Sequence, residues 1–325
     1  MKEILSRSEY SFLKTNSDLQ DVIYLVLSGS RAYGTSTENS DYDLRGVLLE
    51  KPKYLFGLDT FEQFEDLPSD TVIYGLKKFA SLLAKGNPNV LELLGVEEES
   101  IVLMTEQGKM IRDNQGLFLS KRITNTFGNY ALAQLRRLQN ALCKDSYTNE
   151  MQQQHLQEVL SAQMNHFRRM YTDFPDGAIH IYNDEESLKF DIALNNYPLK
   201  DFVGIYSELA GIVKSYSQIN HRNRKKSEQA LYKHGMHLIR LLITGTDILD
   251  GKGIITKRKA EQELLMDIRS GKLSFDEIIS LAEEYKKDFE RAAATTELPE
   301  EPDVKGINQL IMKIYSTRES VNSQI

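Results

Sequence analysis

Two carboxylates two residues apart, Asp41 and Asp43, follow a Gly29-Ser30 pair after ten intervening residues, and these four positions carry the chemistry legible in the chain. On an extended segment alternate side chains share a face, so Asp41 and Asp43 are expected to project together while Tyr42 and Leu44 face the other way. Like charges held that close repel and raise one pKa unless a cation sits between them, and a hard divalent ion with oxygen ligands meets that need. Mg²⁺ is the natural candidate. Upstream, Gly29-Ser30 closes an apolar run and opens a turn or short helix, where free amides and the hydroxyl can hold phosphate oxygens and glycine allows close approach. A phosphate seat beside a metal seat suits phosphoryl transfer. Asp-x-Asp after a Gly-Ser loop is also ordinary turn chemistry, because Asp, Asn, Ser and Gly favour turns. The strands on both sides of the spacer distinguish the two readings.

Those strands are Val22–Leu27, a continuous apolar run, and a second from about Asp41 to Glu50. A hairpin is expected over Tyr54–Asp66, a short strand over Thr71–Tyr74, and a helix over Leu76–Ala84 that stops at Lys85-Gly86-Asn87-Pro88. From about Leu119 the pattern becomes helical, with amphipathic stretches at Lys121–Lys144, Met151–Tyr171, Asp201–Ile219, Ser227–Thr244 and Lys257–Ile268. Ser274-Phe-Asp-Glu277 has the spacing of a capping box and predicts a helix to about Ala294. Residues 178–193 alternate on both sides of an acidic turn and predict an isolated hairpin, and Glu297–Asp303 reads as a linker before a last helix ending near Tyr315. The fold class is therefore α+β: a mixed sheet with flanking helices over 1–118, then a mostly helical domain over 119–325.

Composition narrows the function. With 325 residues, 41% hydrophobic and 27% charged, the chain can bury a sizeable core, and its longest purely apolar stretch, Val22–Leu27, is too short to cross a bilayer. The first residues lack the apolar run of a secretory signal, so a cytoplasmic protein is expected. A single cysteine, Cys143, forbids an internal disulfide and is expected to be buried. The net charge of −7 argues against a uniformly basic nucleic-acid binder. Residues 1–120 hold 12 Lys and Arg against 19 Asp and Glu, so the acidity is confined there. Residues 221–240 form a basic island of six Lys and Arg and three His against one Glu, suited to a solvated helix face or to phosphates.

Beyond the four central positions, Lys233, His237 and Arg240 fall at i, i+4 and i+7 on one helix face and are candidates to hold a triphosphate or an RNA backbone. Arg31 and Tyr33, within the loop, are candidate nucleotide contacts. Arg45 shares the face of the acid pair and would neutralise it. His155, His166, His180 and His221 show no metal-ligand spacing.

The Gly-Ser, spacer, Asp-x-Asp arrangement resembles the signature of the DNA polymerase β-like nucleotidyltransferase superfamily. The segments GSRAYGTSTENSDYDLRGV and LKKFASLLAKGNPNVLELLG, with KHGMHLIRLL from Lys233 and LPEEPD from Leu298, resemble its RlaP/YcgL-like branch, whose members include proteins associated with RNA repair. The resemblance implies that Gly29 and Ser30 contact nucleotide phosphates, that Asp41 and Asp43 bind two Mg²⁺ ions (Mn²⁺ as a substitute), and that a third carboxylate on a later strand binds one ion and assists as general base. Asp70, opening the Thr71–Tyr74 strand, is the choice for that role, with Glu62 and Glu65 as rivals. The implied activity moves a nucleoside monophosphate from an NTP, ATP included, to an acceptor hydroxyl, on RNA such as a tRNA 3′ end, or on a protein or small molecule. The other reading is a catalytically silent nucleotide- or RNA-binding module.

Overall fold

The computed structural model describes residues 5, 7–38, 40–143, 149–171, 174–184, 187–221 and 228–322. They form two compact units, one of residues 1–135 with 232–325 and one of residues 136–231. The boundary expected at 118/119 falls inside the first unit, because the chain returns to it after Leu231.

The first unit is built on a five-stranded mixed sheet in the order β3-β4-β2-β1-β5. Helix α1 (Phe12–Thr15) precedes β1 (Val22–Leu27), which is buried along nearly its whole length as its apolar run requires. Helix α2 (Gly29–Tyr33) follows at once, then the spacer, then β2 (Leu44–Leu48) antiparallel to β1. β2 starts three residues later than expected: Asp41, Tyr42 and Asp43 make an approach to the sheet, where the Ser28 amide donates to the Asp43 carbonyl at 2.8 Å.

The predicted hairpin over 54–66 is replaced by a helix and a strand. Pro52 supplies the fixed φ of a first helical turn, giving α3 (Pro52–Phe56), and β3 (Gln63–Asp66) instead pairs with β4 (Thr71–Gly75). The Leu67–Asp70 turn that joins them is shaped by Asp66, whose carboxylate accepts from the Ser69 amide and hydroxyl at 3.1 and 2.6 Å. β4 lies parallel to β2 with Leu44 opposite Thr71.

Helix α4 (Leu76–Ala84) begins directly after β4, and Glu50 caps it by accepting from the Leu76 and Lys77 amides at 3.0 and 3.1 Å. Gly75 makes room, since a Cβ there would stand 2.6 Å from the Glu50 carboxylate. Helix α5 (Pro88–Leu91), β5 (Ile101–Met104) and α6 (Glu106–Asp113) complete the N-terminal part, and β5 pairs with β1 on its other side. Leu25, Leu27 and Leu44 pack with Tyr10, and Leu48 and Ile73 with Leu19, both clusters against Phe12, Leu13 and Val22.

The long helix α7 (Arg122–Cys143) leads out of this unit and α10 (Glu228–Leu249) leads back. Helix α11 (Gln262–Arg269) starts five residues after the predicted point. Helix α12 (Phe275–Thr295) carries the expected capping box, with both reciprocal bonds between Ser274 and Glu277. Helix α13 (Val304–Asn322) runs past the predicted end at Tyr315. The second unit contains α8 (Asn149–Met170), the antiparallel pair β6 (Ile179–Asp184) and β7 (Ser187–Ile192), and α9 (Leu199–His221), around Met164, Phe167, Phe174, Ile179 and Ile205. The predicted hairpin is thus present as a separate two-stranded sheet. The Cys143 side chain and residues 222–227 of the basic island lie outside the described ones. Among the described residues no helix is long and apolar enough to cross a membrane.

Candidate active site

Sheet register determines which acids meet. Continuing the parallel pairing of Leu44 with Thr71 one residue back sets Asp43 beside Asp70, at the N-terminal mouths of two neighbouring strands. There the two carboxylates adjoin and share a hydrogen bond. Asp70 reaches this position in the left-handed region, at φ 44°, which an aspartate in a turn tolerates.

The pair is electrostatically uneven. Burial first, and then the hydrogen bond and charge of Asp70, push the Asp43 carboxyl up to about 6. Burial acts on Asp70 in the same upward sense, but the hydrogen bond from Asp43 and the Arg45 guanidinium outweigh it and hold Asp70 below the usual carboxylate range. Arg45 donates to the Asp70 carboxylate at 2.9 Å and also to its carbonyl, so its charge goes to Asp70 and not, as expected, to Asp41 and Asp43 together. Lys233, exposed on α10, adds a positive field felt by both acids.

Gly29 forms the other wall. Its φ of +60° suits glycine, and a Cβ there would overlap the Asp43 carboxylate, so no other residue lets the turn after β1 approach the acid. Ser30, half-buried, follows in the same turn and its carbonyl accepts from the Thr35 amide at 2.9 Å.

The fit to a divalent cation rests on these donors. Two adjoining carboxylates, one with its proton affinity raised by burial and its neighbour, offer the hard oxygen set that Mg²⁺ requires. Asp41, exposed, does not complete a trio: among the described residues no three His, Cys, Asp or Glu side chains gather closely enough to hold an ion. The structure therefore joins Asp43 with Asp70, where the sequence spacing paired Asp43 with Asp41. The rivals for the third carboxylate are engaged elsewhere, Glu62 with Lys78 at 2.7 Å and Glu65 with Gln63.

Other candidates take different roles. Arg240 is buried with Glu92 in an ion pair, both side chains at most 3% exposed, and its guanidinium lies 3.7 Å over the Tyr33 ring. Burial opposes its charge, but Glu92 more than offsets this and raises its pKa. Committed in this way, Arg240 is not available to a triphosphate. Tyr33 is buried too and donates its hydroxyl to Glu92 at 3.0 Å, which removes it from the nucleotide side. His237 packs edge-on against Tyr33, and burial followed by the Arg240 charge pushes its pKa down to about 2, so it is neutral. Arg31 spans the carbonyls of Ser40 and Asp41 at 2.7 and 3.2 Å and lies 3.7 Å over the Tyr42 ring, holding the spacer.

The sequence reading missed Glu92, Gln262 and Arg269. Glu92 interrupts the apolar run Val90–Leu94, and a lone carboxylate there signals a buried partner. Gln262 and Arg269 hold the spacer from α11, and nothing in their local sequence marks them.

Comparison with known proteins gives a family. The model of the family described as RlaP, RNA repair pathway DNA polymerase beta family, matches residues 4–172. A curated relative is the uncharacterized protein YcgL of Bacillus subtilis (strain 168), 32% identical over 77 residues, 22% of this chain and 30% of that protein. The match thus spans less than a third of that relative's length. No solved structure matches.

Proposed function

Because the chain belongs to the RlaP family of polymerase β-like proteins of RNA repair, we propose that it is a Mg²⁺-dependent nucleotidyltransferase that moves a nucleoside monophosphate from an NTP to an acceptor hydroxyl on RNA, with pyrophosphate leaving. The observation that carries this reading is the adjoining Asp43–Asp70 pair against the Gly29 turn.

Asp43 and Asp70 would hold the metal, with Asp41 as the further carboxylate. A bound divalent ion supplies charge neutralisation at the phosphates and alignment of attacking and leaving oxygens. Gly29 admits phosphate oxygens close to the backbone, and the Ser30 hydroxyl is within the same turn to donate to them. Lys233, exposed on α10, contributes a positive charge toward the phosphates as a point donor. Once ionised, a carboxylate of the pair accepts the proton of the acceptor hydroxyl. RNA is favoured as the acceptor by the family's RNA-repair membership and by the basic sequence over residues 221–233. One observation favours a silent binding module instead: Asp41 stands apart from the other two acids.

The test incubates purified protein with each labelled NTP, Mg²⁺ and total RNA. Label is expected on RNA, lost in Asp43→Asn. Label on protein or on a small molecule would replace the acceptor, and NTP binding without turnover would establish the silent module.

A further inference from the structure

Asp43 is fixed by the sheet, but Asp41 is not. No ladder bond reaches residues 41 and 42; the Asp41 carbonyl accepts from Arg31 at 3.2 Å, and the position of its carboxylate depends otherwise on the spacer that leads to it. That spacer is gripped from far along the chain. Gln262 at the start of α11 donates to the Gly34 carbonyl at 2.8 Å, and Arg269 at its end donates to the Thr35 carbonyl and to the Ser40 hydroxyl, the latter at 3.3 Å.

Ser40 is the meeting point. Its hydroxyl accepts from the Thr37 amide at 2.8 Å, its amide donates to the Thr37 carbonyl at 3.0 Å, and its carbonyl accepts from Arg31. Two guanidiniums thus hold the residue just before Asp41, Arg31 by its carbonyl and Arg269 by its hydroxyl. Arg269 spans the fully buried Thr35 and Ser40, so one planar group sets the separation between the beginning and the end of the spacer. Among the described residues no carboxylate forms an ion pair with Arg269, and burial lowers its pKa; its charge is spent on neutral oxygens of this loop. Arg269 also lies well beyond residue 172, where the family match ends.

We infer that Arg269 is a positioning residue: through Thr35 and Ser40 it fixes the backbone that carries Asp41, and so governs whether Asp41 joins Asp43 and Asp70 in binding a divalent cation. This rests on the reading of the acid pair as a metal seat. Arg269 itself touches neither metal nor nucleotide.

The experiment uses the full chain and Mn²⁺ as probe, with binding followed by electron paramagnetic resonance, amide hydrogen exchange over residues 35–41, and melting temperature as a check on folding. Arg269→Ala is expected to weaken Mn²⁺ binding about 10-fold, in the range set by groups that orient ligands, and Arg269→Lys about 3-fold because lysine reaches only one of the two oxygens. In an Asp41→Asn background both changes shrink to less than about 1.5-fold, the non-additivity of groups acting through one another. The Thr37 and Ser40 amides exchange about 10-fold faster in Arg269→Ala. Unchanged exchange, unchanged Mn²⁺ affinity in a folded variant, or an equal loss with and without Asp41 would each overturn the inference. Wild-type protein that binds no Mn²⁺ would instead overturn the metal-seat reading itself.

Discussion

Two carboxylate clusters in the first unit share ingredients and differ in outcome. Around Glu92, the acid meets Arg240 and the Tyr33 hydroxyl, while its carbonyl accepts from Thr256 at 2.6 Å; the ion pair is closed to solvent. Around Asp43, the acid meets a second acid and a glycine, with Arg45 turned to Asp70 and Lys233 out in solvent. One charge is cancelled by the protein, and the other is left for something else to cancel. A buried pair whose charges are matched ties elements together, here α2, α10 and the segment at Thr256, whereas an unmatched pair at strand mouths stores repulsion that a ligand relieves.

The sharpest way to break this contrast is to mutate each cluster and read both stability and transfer. Asp43→Asn should lower transfer on the order of 10³-fold, equivalent to about 4 kcal/mol of barrier. It should leave the melting temperature unchanged or raised, because an acid whose pKa is raised by folding is strained when ionised. Arg240→Ala should behave oppositely, costing about 3–5 kcal/mol in urea unfolding by leaving Glu92 buried and unpaired. A large stability loss from Asp43→Asn would make the acid pair structural after all.

The next effect is in pH. Folding raises the Asp43 pKa to about 6, so between the unfolded value near 3.9 and about 6 the folded chain binds the extra proton. This group's contribution to stability therefore falls as pH rises through that window. Asp70, held low, contributes in the reverse direction, and its share is lost as pH falls through its folded pKa. On the proposed role of Asp43, Mg²⁺ would displace its proton, so Mg²⁺ affinity should rise from pH 5 to pH 7 by roughly tenfold, measured by calorimetry. In Asp70→Asn the Asp43 midpoint, followed by carboxyl carbon resonances, should move down toward the ordinary range.

The smallest effect is the control. Ser274→Ala removes the cap of α12 and should cost about 1 kcal/mol with no change in Mg²⁺ affinity or transfer.

Local patterns were sufficient wherever a single segment determines the answer. The apolar run of β1, the helix after Thr71–Gly75, the capping box at Ser274 and the hairpin over 178–193 all follow from the periodicity or turn chemistry of neighbouring residues, and all are present. The placing of Gly29 and Asp43 side by side belongs here too, since two adjacent antiparallel strands leave the turn and the acid little choice. The sequence favours Asp70 over Glu62 and Glu65 because it opens a strand, and that strand lies parallel to β2 in the register that sets it beside Asp43.

Partnerships across long separations were decided by the tertiary structure. The spacing Lys233, His237, Arg240 correctly marks one helix face, yet a helical period does not say which part of that face is covered: Lys233 stays in solvent while Arg240 is sealed against Glu92, 148 residues away. Likewise Arg269 reaches Thr35 across 234 residues with no signature of its own. Sequence spacing encodes directions along one element, because backbone geometry fixes them locally. Which charge is matched and which is left open depends on what the rest of the chain brings within a few ångströms, and only the folded packing sets that.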